Sequence, residues 1–313
     1  EKIYGPVSKS NKKAQALQTE ESLFKKWIEP VIGELPLKDI APIDLERIKQ
    51  DMKKENRAAR TIAYALSLIR QVYNYANTAN LYAGKWPGAN KAVRIPKEDN
   101  RRQRYLTHAE AKKLLDGLGQ ISPDVRDMAL LSLHCGLRAG EIFALTWADI
   151  DMEKGTIFIR DPKSGRNRHA YMTADVKAML DTHVKGKKSD LIFIRRWSKN
   201  DQAEDQGNDE TVNRLATRIS KTFNRVVANM ELNKDIADRR QKVVFHSLRH
   251  TYASWLVESG VSLYTVQKLL GHEDITMTQR YAHLSPDNLA GAVRILEAGI
   301  EKSAQEKTEQ VDP

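Results

Sequence analysis

Apolar residues recur at helical spacing along most of the chain, and only two short stretches alternate as strands do. Leu23, Trp27 and Val31 fall four apart and predict a helix capped by Thr19, with Glu20 and Glu21 in its first turn, where the helix dipole favours carboxylates. A second helix is expected from Pro42 to Lys54. A third, from Ala58 to Ala79, carries a continuous stripe of Ile62, Ala65, Leu66, Ile69, Val72 and Tyr73. The period is lost between Trp86 and Arg104, where Pro87, Gly88, Pro96 and the run KEDNRRQR read as an interdomain linker.

Thr107 and Glu110 have the spacing of a capping box and open a second domain near Leu106. An apolar helix over 123–135 ends at Gly136. Thr156–Arg160 and Arg168–Met172 then read as a β-hairpin around the turn DPKSGRN. Thr173 caps a helix over 173–184, Leu191–Ile194 reads as a brief strand, and the aperiodic polar insertion Arg195–Asp209 reads as a loop. Further helices are expected over Glu210–Met230, after Val243, and over Pro286–Ala298. The last residues, KSAQEKTEQVDP, are too polar to pack. The predicted class is mainly α with a small β-sheet (α+β). Its expected parts are a helical domain over 1–90, a linker over 91–105, a larger domain over 106–300 and a disordered tail over 301–313.

Charge adds a partner to this outline. Of the formal +10, residues 1–105 carry +9, a distribution that fits a polyanion through counterion release as well as it fits a solvated basic face. The candidate nucleic-acid contacts are Lys25, Lys26, Arg57 and Arg60 around the helical stripes, Arg101, Arg102 and Arg104 in the linker, and Arg166 and Arg168 in the hairpin. Cys135 is the only cysteine, so no intrachain disulfide can form. No apolar run approaches 18 residues and no secretory signal is evident, so a cytoplasmic protein with no membrane association is expected. The chain opens at Glu1 without a methionine, which leads us to expect a trimmed segment before it.

The stretch from Val243 to Ala282 carries the candidate chemistry. His246 and Arg249 stand three apart and share one helix face, with Leu248, Tyr252, Trp255 and Leu256 on another side. The imidazole and guanidinium are therefore expected to point out of the core. Gly260 breaks this helix; His272 follows Gly271, and Tyr281 comes nine residues later. Guanidinium forks grip phosphate oxygens, and a phenol can act as a nucleophile once a neighbour takes its proton. Such a set suits phosphoryl transfer on a diester.

HSLRH, then LLGH, then Tyr281 resemble the C-terminal motif of the tyrosine recombinases, the phage integrase family. GLRAGEI, with Arg138 and Glu141, resembles the box that holds the family's first arginine and its acidic neighbour, and Lys163 matches the family's hairpin lysine. The resemblance spans Leu106 to Ala298. It implies a catalytic domain behind a helical core-binding domain, with Tyr281 as nucleophile forming a 3′-phosphotyrosyl bond. In that scheme His246 is the general base and Lys163 the general acid, Arg138, Arg249 and His272 stabilise the transition state, and Glu141 orients Arg138. No cofactor and no metal is implied, because the covalent intermediate conserves the bond energy. The implied partners are double-stranded DNA, a homotetramer on paired recombination sites that uses the helix Asp287–Ala298 as a docking element, and an accessory DNA-bending protein. A type IB topoisomerase-like relaxing enzyme and a catalytically inactive DNA-binding protein are the alternatives.

Overall fold

The computed structural model describes residues 12, 14–89, 92–94, 102–160, 166–193 and 208–285. Lys163, Arg101, residues 195–207 of the expected polar insertion, the helix expected over Pro286–Ala298 and the C-terminal tail lie outside the described residues. The chain divides into two units, residues 1–100 and 101–313.

In the first unit, α1 (Ala14–Leu23) runs through a five-residue π-helical turn, Phe24–Ile28, into α2 (Glu29–Ile32). Thr19 is therefore inside a helix rather than at its start; the preceding AQALQ is a strong helix-forming run and nothing at Thr19 interrupts it. α3 (Pro42–Lys54) begins with proline at its first turn, where the missing N–H costs nothing, and the Asp44 carboxylate accepts the Ala41 N–H at 2.9 Å. α4 (Ala59–Thr78) buries Ile62, Ala65, Leu66, Ile69 and Tyr73 of its predicted stripe against Trp27, Ile28, Leu45, Ile48 and Met52. The buried Tyr73 hydroxyl donates to the Leu37 carbonyl at 2.6 Å, which satisfies the one polar atom this ring carries into the core. Val93, placed by sequence in the linker, belongs to this core.

The second unit opens on residues 102–105, which are bonded into it rather than forming a tether. Arg102 Nη1 donates to the carbonyls of Arg239 and Lys242 at 3.0 and 2.8 Å, and the Gln103 N–H to that of Arg240 at 3.1 Å. α5 (His108–Ile121) starts with the predicted capping box: Glu110 N–H donates to Thr107 Oγ1 at 3.2 Å, and Thr107 N–H to Glu110 Oε2 at 2.9 Å. α6 (Pro123–Cys135) is buried on nearly every side, packs between α5 and α10, and stops at Gly136, whose φ of +65° is costly for any residue with a Cβ. The short α7 (Ala139–Phe143) follows directly.

A three-stranded antiparallel sheet in the order β1 (Ile150–Asp151), β2 (Thr156–Ile159), β3 (Arg168–Tyr171) then leads to α8 (Ala174–Asp181). The two-residue β1 escapes sequence reading because it is too short to show a period. The strand expected over Leu191–Ile194 is reduced, over its described residues, to one bridge between Leu191 and Thr146 and a bond from the Ile192 N–H to the Leu145 carbonyl. Its apolar side chains, Ile192 and Phe193, enter the core without a ladder. α9 (Asn208–Asn229), α10 (Phe245–Glu258), α11 (Leu263–Leu270), α12 (Thr276–Gln279) and a 3₁₀ turn at Ala282–Leu284 complete the unit. Leu106 is pinned to α10 at both backbone atoms, its N–H on Thr251 Oγ1 and its carbonyl on the Trp255 indole, each at 3.0 Å.

Candidate active site

Arg249 is the centre of the site, and it is buried, at 3% exposure, rather than pointing out of the core. The helix-face argument misses this because the guanidinium finds its partners on two other elements. Nη1 donates to the carbonyl of Gly136 at the end of α6, and Nη2 to that of Leu270 at the end of α11, at 2.6 Å. Carbonyls at helix C-termini lack intrahelical donors and carry partial negative charge, so one buried cation satisfies two of them. Burial, then the field of Arg138, pulls the Arg249 pKa down to about 9, which leaves it charged at neutral pH. Gly136 and Gly271 both have positive φ, and a Cβ on Gly136 would lie 2.6 Å from the Tyr252 ring. Each turn thus needs glycine to bring its carbonyl or its neighbour close.

Arg138 takes the N-terminal position of α7, and its backbone N–H and Nη1 both bond Glu141, at 2.9 and 2.8 Å. The Glu141 carboxyl is buried, which by itself would raise its pKa, but the bonds from Arg168 and Arg138 outweigh this and hold it at about 2. Arg168 contributes the larger share. It was expected to meet a DNA phosphate; instead its side chain is 8% exposed, with Nη1 and Nη2 on Glu141 at 3.0 and 2.8 Å. A fork already spent on a buried carboxylate is not a free backbone contact.

His246 is open to solvent on one side, yet desolvation by its surroundings, followed by the fields of Arg249, Arg138, Arg102 and Arg280, pushes its pKa down to about 4. His272 is half-buried and lowered to about 3 by desolvation and then by Arg249 and Arg138; its Nδ1 lies 2.9 Å from the buried Thr278 hydroxyl. Tyr281 is 4% exposed and packs with Ala253, Val257, Val266 and Leu270. Burial raises its pKa, while Arg280 and Arg249 pull in the opposite direction. Arg138, His246, Arg249, His272 and Tyr281 therefore converge, from α7, α10, and the turns after α11 and α12, on one cationic site holding two neutral imidazoles and a phenol.

Two neighbours escaped the sequence reading. Arg280 precedes Tyr281 and acts on His246, His250, His272 and Tyr281 alike. His250 is buried with its ring 5.0 Å from that of Tyr281. Position in HSLRH was the available signal for His250; adjacency to the tyrosine was the signal for Arg280. Burial, then Arg280, lowers the His250 pKa to about 4, partly offset by the backbone of Gln103.

An unfolded chain protonates that histidine below about pH 6.5. The unfolded state thus binds more protons than the fold, so stability is complete above about pH 6.5 and is lost as pH falls towards 4. His250 alone should cost about 2 kcal/mol between about pH 7 and pH 5, read as a lower unfolding midpoint. His250→Asn should remove that share and leave the part contributed by His246 and His272, which are lowered as well, and an equally steep dependence in the variant would contradict the assignment.

The other candidate cations divide by setting. Lys26 and Arg57 both lie over the Trp27 ring, at 4.9 and 5.6 Å, and both approach Glu55, while Lys25, Arg60 and Arg166 are exposed. Arg102 is held by backbone carbonyls and Arg104 by Glu110 at 2.6 Å, so neither fork is free in the way a linker cation would be.

Residues 104–288 match the sequence model of the phage integrase family, and residues 2–53 that of the phage integrase N-terminal SAM-like domain. An integrase of Salmonella phage P22 is 30% identical over 251 residues, covering 79% of this chain; the chain spans 59% of the length of that relative. Among solved structures, the Tn1549 transposon integrase in complex with a circular intermediate DNA superposes with a TM-score of 0.71 at 17% identity, covering 95% of this chain and 98% of that one. A lambda integrase tetramer bound to a Holliday junction gives 0.62 at 21% identity, over 87% of this chain and 76% of that one. With more than half of its residues inside the matched catalytic region, this chain belongs to the phage integrase family, the tyrosine recombinases.

Proposed function

We propose that the protein is a site-specific DNA recombinase that cuts and rejoins strands through a phosphotyrosyl intermediate, integrating or excising a mobile element. The observation that carries the reading is the gathering of Arg138, Arg249 and two neutral imidazoles around Tyr281. The phenol oxygen of Tyr281 attacks the scissile phosphorus, its proton passes to His246, and the bond to the 5′ oxygen breaks to leave a 3′-phosphotyrosine and a 5′-hydroxyl. His246 is neutral and can accept that proton. Its pKa is low because its surroundings desolvate it and cations then add to the shift; an incoming phosphodiester charge offsets the cations and raises it towards the range of a working base.

Arg138 meets the negative charge that grows on the equatorial oxygens, and the buried Arg249 adds its field to the same charge. Nδ1 of His272 bonds the Thr278 hydroxyl; in the tautomer that accepts from that hydroxyl, Nε2 carries the proton and donates to the same oxygens. Lys163, which falls in sequence between β2 and β3, is assigned by family resemblance as the acid for the leaving oxygen.

The DNA partner is double-stranded, and paired sites would be held by a homotetramer of the kind seen for lambda integrase on a Holliday junction. We place the protein in the cytoplasm with its DNA; no helix among the described residues is long and apolar enough to cross a membrane. Incubation with two labelled duplexes bearing the target site, with and without a DNA-bending protein, separates the readings. Recombinant products are expected. Relaxation of a supercoiled plasmid without strand exchange would instead identify a topoisomerase.

A further inference from the structure

The Glu141 carboxylate receives four N–H donors, two from Arg138 and two from Arg168, which fills about all the acceptor positions a carboxylate offers. Two guanidiniums on one carboxylate leave a group with a net charge of +1. Remove Arg168, and Glu141 with Arg138 becomes a neutral pair whose two vacant acceptor positions draw the Arg138 fork inwards. Arg138 now spends only Nη1 of its guanidinium on Glu141, and its side chain stays 22% exposed beside the two histidines of the site.

The same Arg168 side chain lies across the turn that carries His272. A Cβ on Gly271 would stand 2.6 Å from Arg168 Cδ, so the two are in close contact one residue from the imidazole. Its Nε is buried without a partner among the described residues, a cost accepted in aiming both Nη atoms at Glu141. Arg168 also begins β3, which pairs with β2.

We propose that Arg168 is a positioning residue of the strand-transfer site. By neutralising Glu141 it keeps the charge of Arg138 available to the scissile phosphate, and by bracing Gly271 it fixes the turn that presents His272. The inference deepens the recombinase reading and rests on it.

Single-turnover cleavage of a nicked duplex tests the proposal with Arg168→Gln, Arg168→Lys and the double variant Arg168→Gln/Glu141→Gln. Arg168→Gln should slow cleavage about a hundredfold, the scale of losing one preorganised charge contact, while duplex affinity and its salt dependence stay as in the wild type. Arg168→Lys should recover only part of the rate, since an ammonium keeps the charge but not the fork. The double variant should regain about tenfold over Arg168→Gln, because the unpaired carboxylate that captures Arg138 is gone.

Wild-type rates in Arg168→Gln, or a double variant as slow as the single one, would overturn the proposal. A salt dependence reduced by about one ion in Arg168→Gln would give Arg168 back to DNA binding. Titration of the Glu141 carboxyl carbon by NMR reads the pairing without DNA: its midpoint should rise in Arg168→Gln, and an unchanged midpoint would overturn the proposal. Absence of any adduct in the wild type would instead sink the recombinase reading, with the carboxyl titration still deciding the role of Arg168.

Discussion

Tyr281→Phe will form no covalent complex with a nicked target duplex, while its affinity for that duplex changes by less than about fivefold, the range of an interface side chain outside the energetic centre. The phenol oxygen is the only atom lost. The ring keeps its contacts with Ala253, Val257, Val266 and Leu270, so the fold around the site should persist. Because Tyr281 is 4% exposed in the free chain, the oxygen reaches a phosphate only when DNA binding brings the two together. Covalent complex in the variant, seen as slow-migrating protein on a denaturing gel, would remove Tyr281 from the mechanism.

Affinity for duplex DNA will fall on the order of a thousandfold or more between about 50 and 200 mM salt, as expected when six or more phosphates are neutralised. The excess charge sits in residues 1–105, and Lys25 and Arg60 are exposed there without a described carboxylate partner. Each should contribute about one ion to the slope of the logarithm of affinity against that of salt. Lys26 and Arg57 share Glu55 and the Trp27 ring, so part of their charge is already answered and their substitution should lower the slope less. An affinity that does not change with salt would remove DNA from the account.

Much of the helical framework was legible because its stripes are local. The α4 residues that carry the stripe, and the Thr107–Glu110 box that opens α5, are each decided within a few positions. Thr19 misled because a capping residue is also tolerated inside a helix when strong formers precede it.

What stayed illegible depends on partners far along the chain. Arg249 looks like a surface residue on its own helix, and becomes a buried one only because carbonyls 113 and 21 residues away turn towards it. Arg168 reads as one more cation on a basic hairpin until Glu141, 27 residues earlier, takes both its Nη atoms. The candidate nucleophile and its neighbours were visible as residue types at fixed spacing; the charge balance that prepares them was not.

Peptide mapping of the complex trapped on a nicked duplex tests the central claim most directly. The account predicts one modified peptide, with the 3′-phosphate of the cleaved strand on the oxygen of Tyr281 and a free 5′-hydroxyl on the released end. A phosphate on another residue, or a 5′-phosphate linkage, would contradict it.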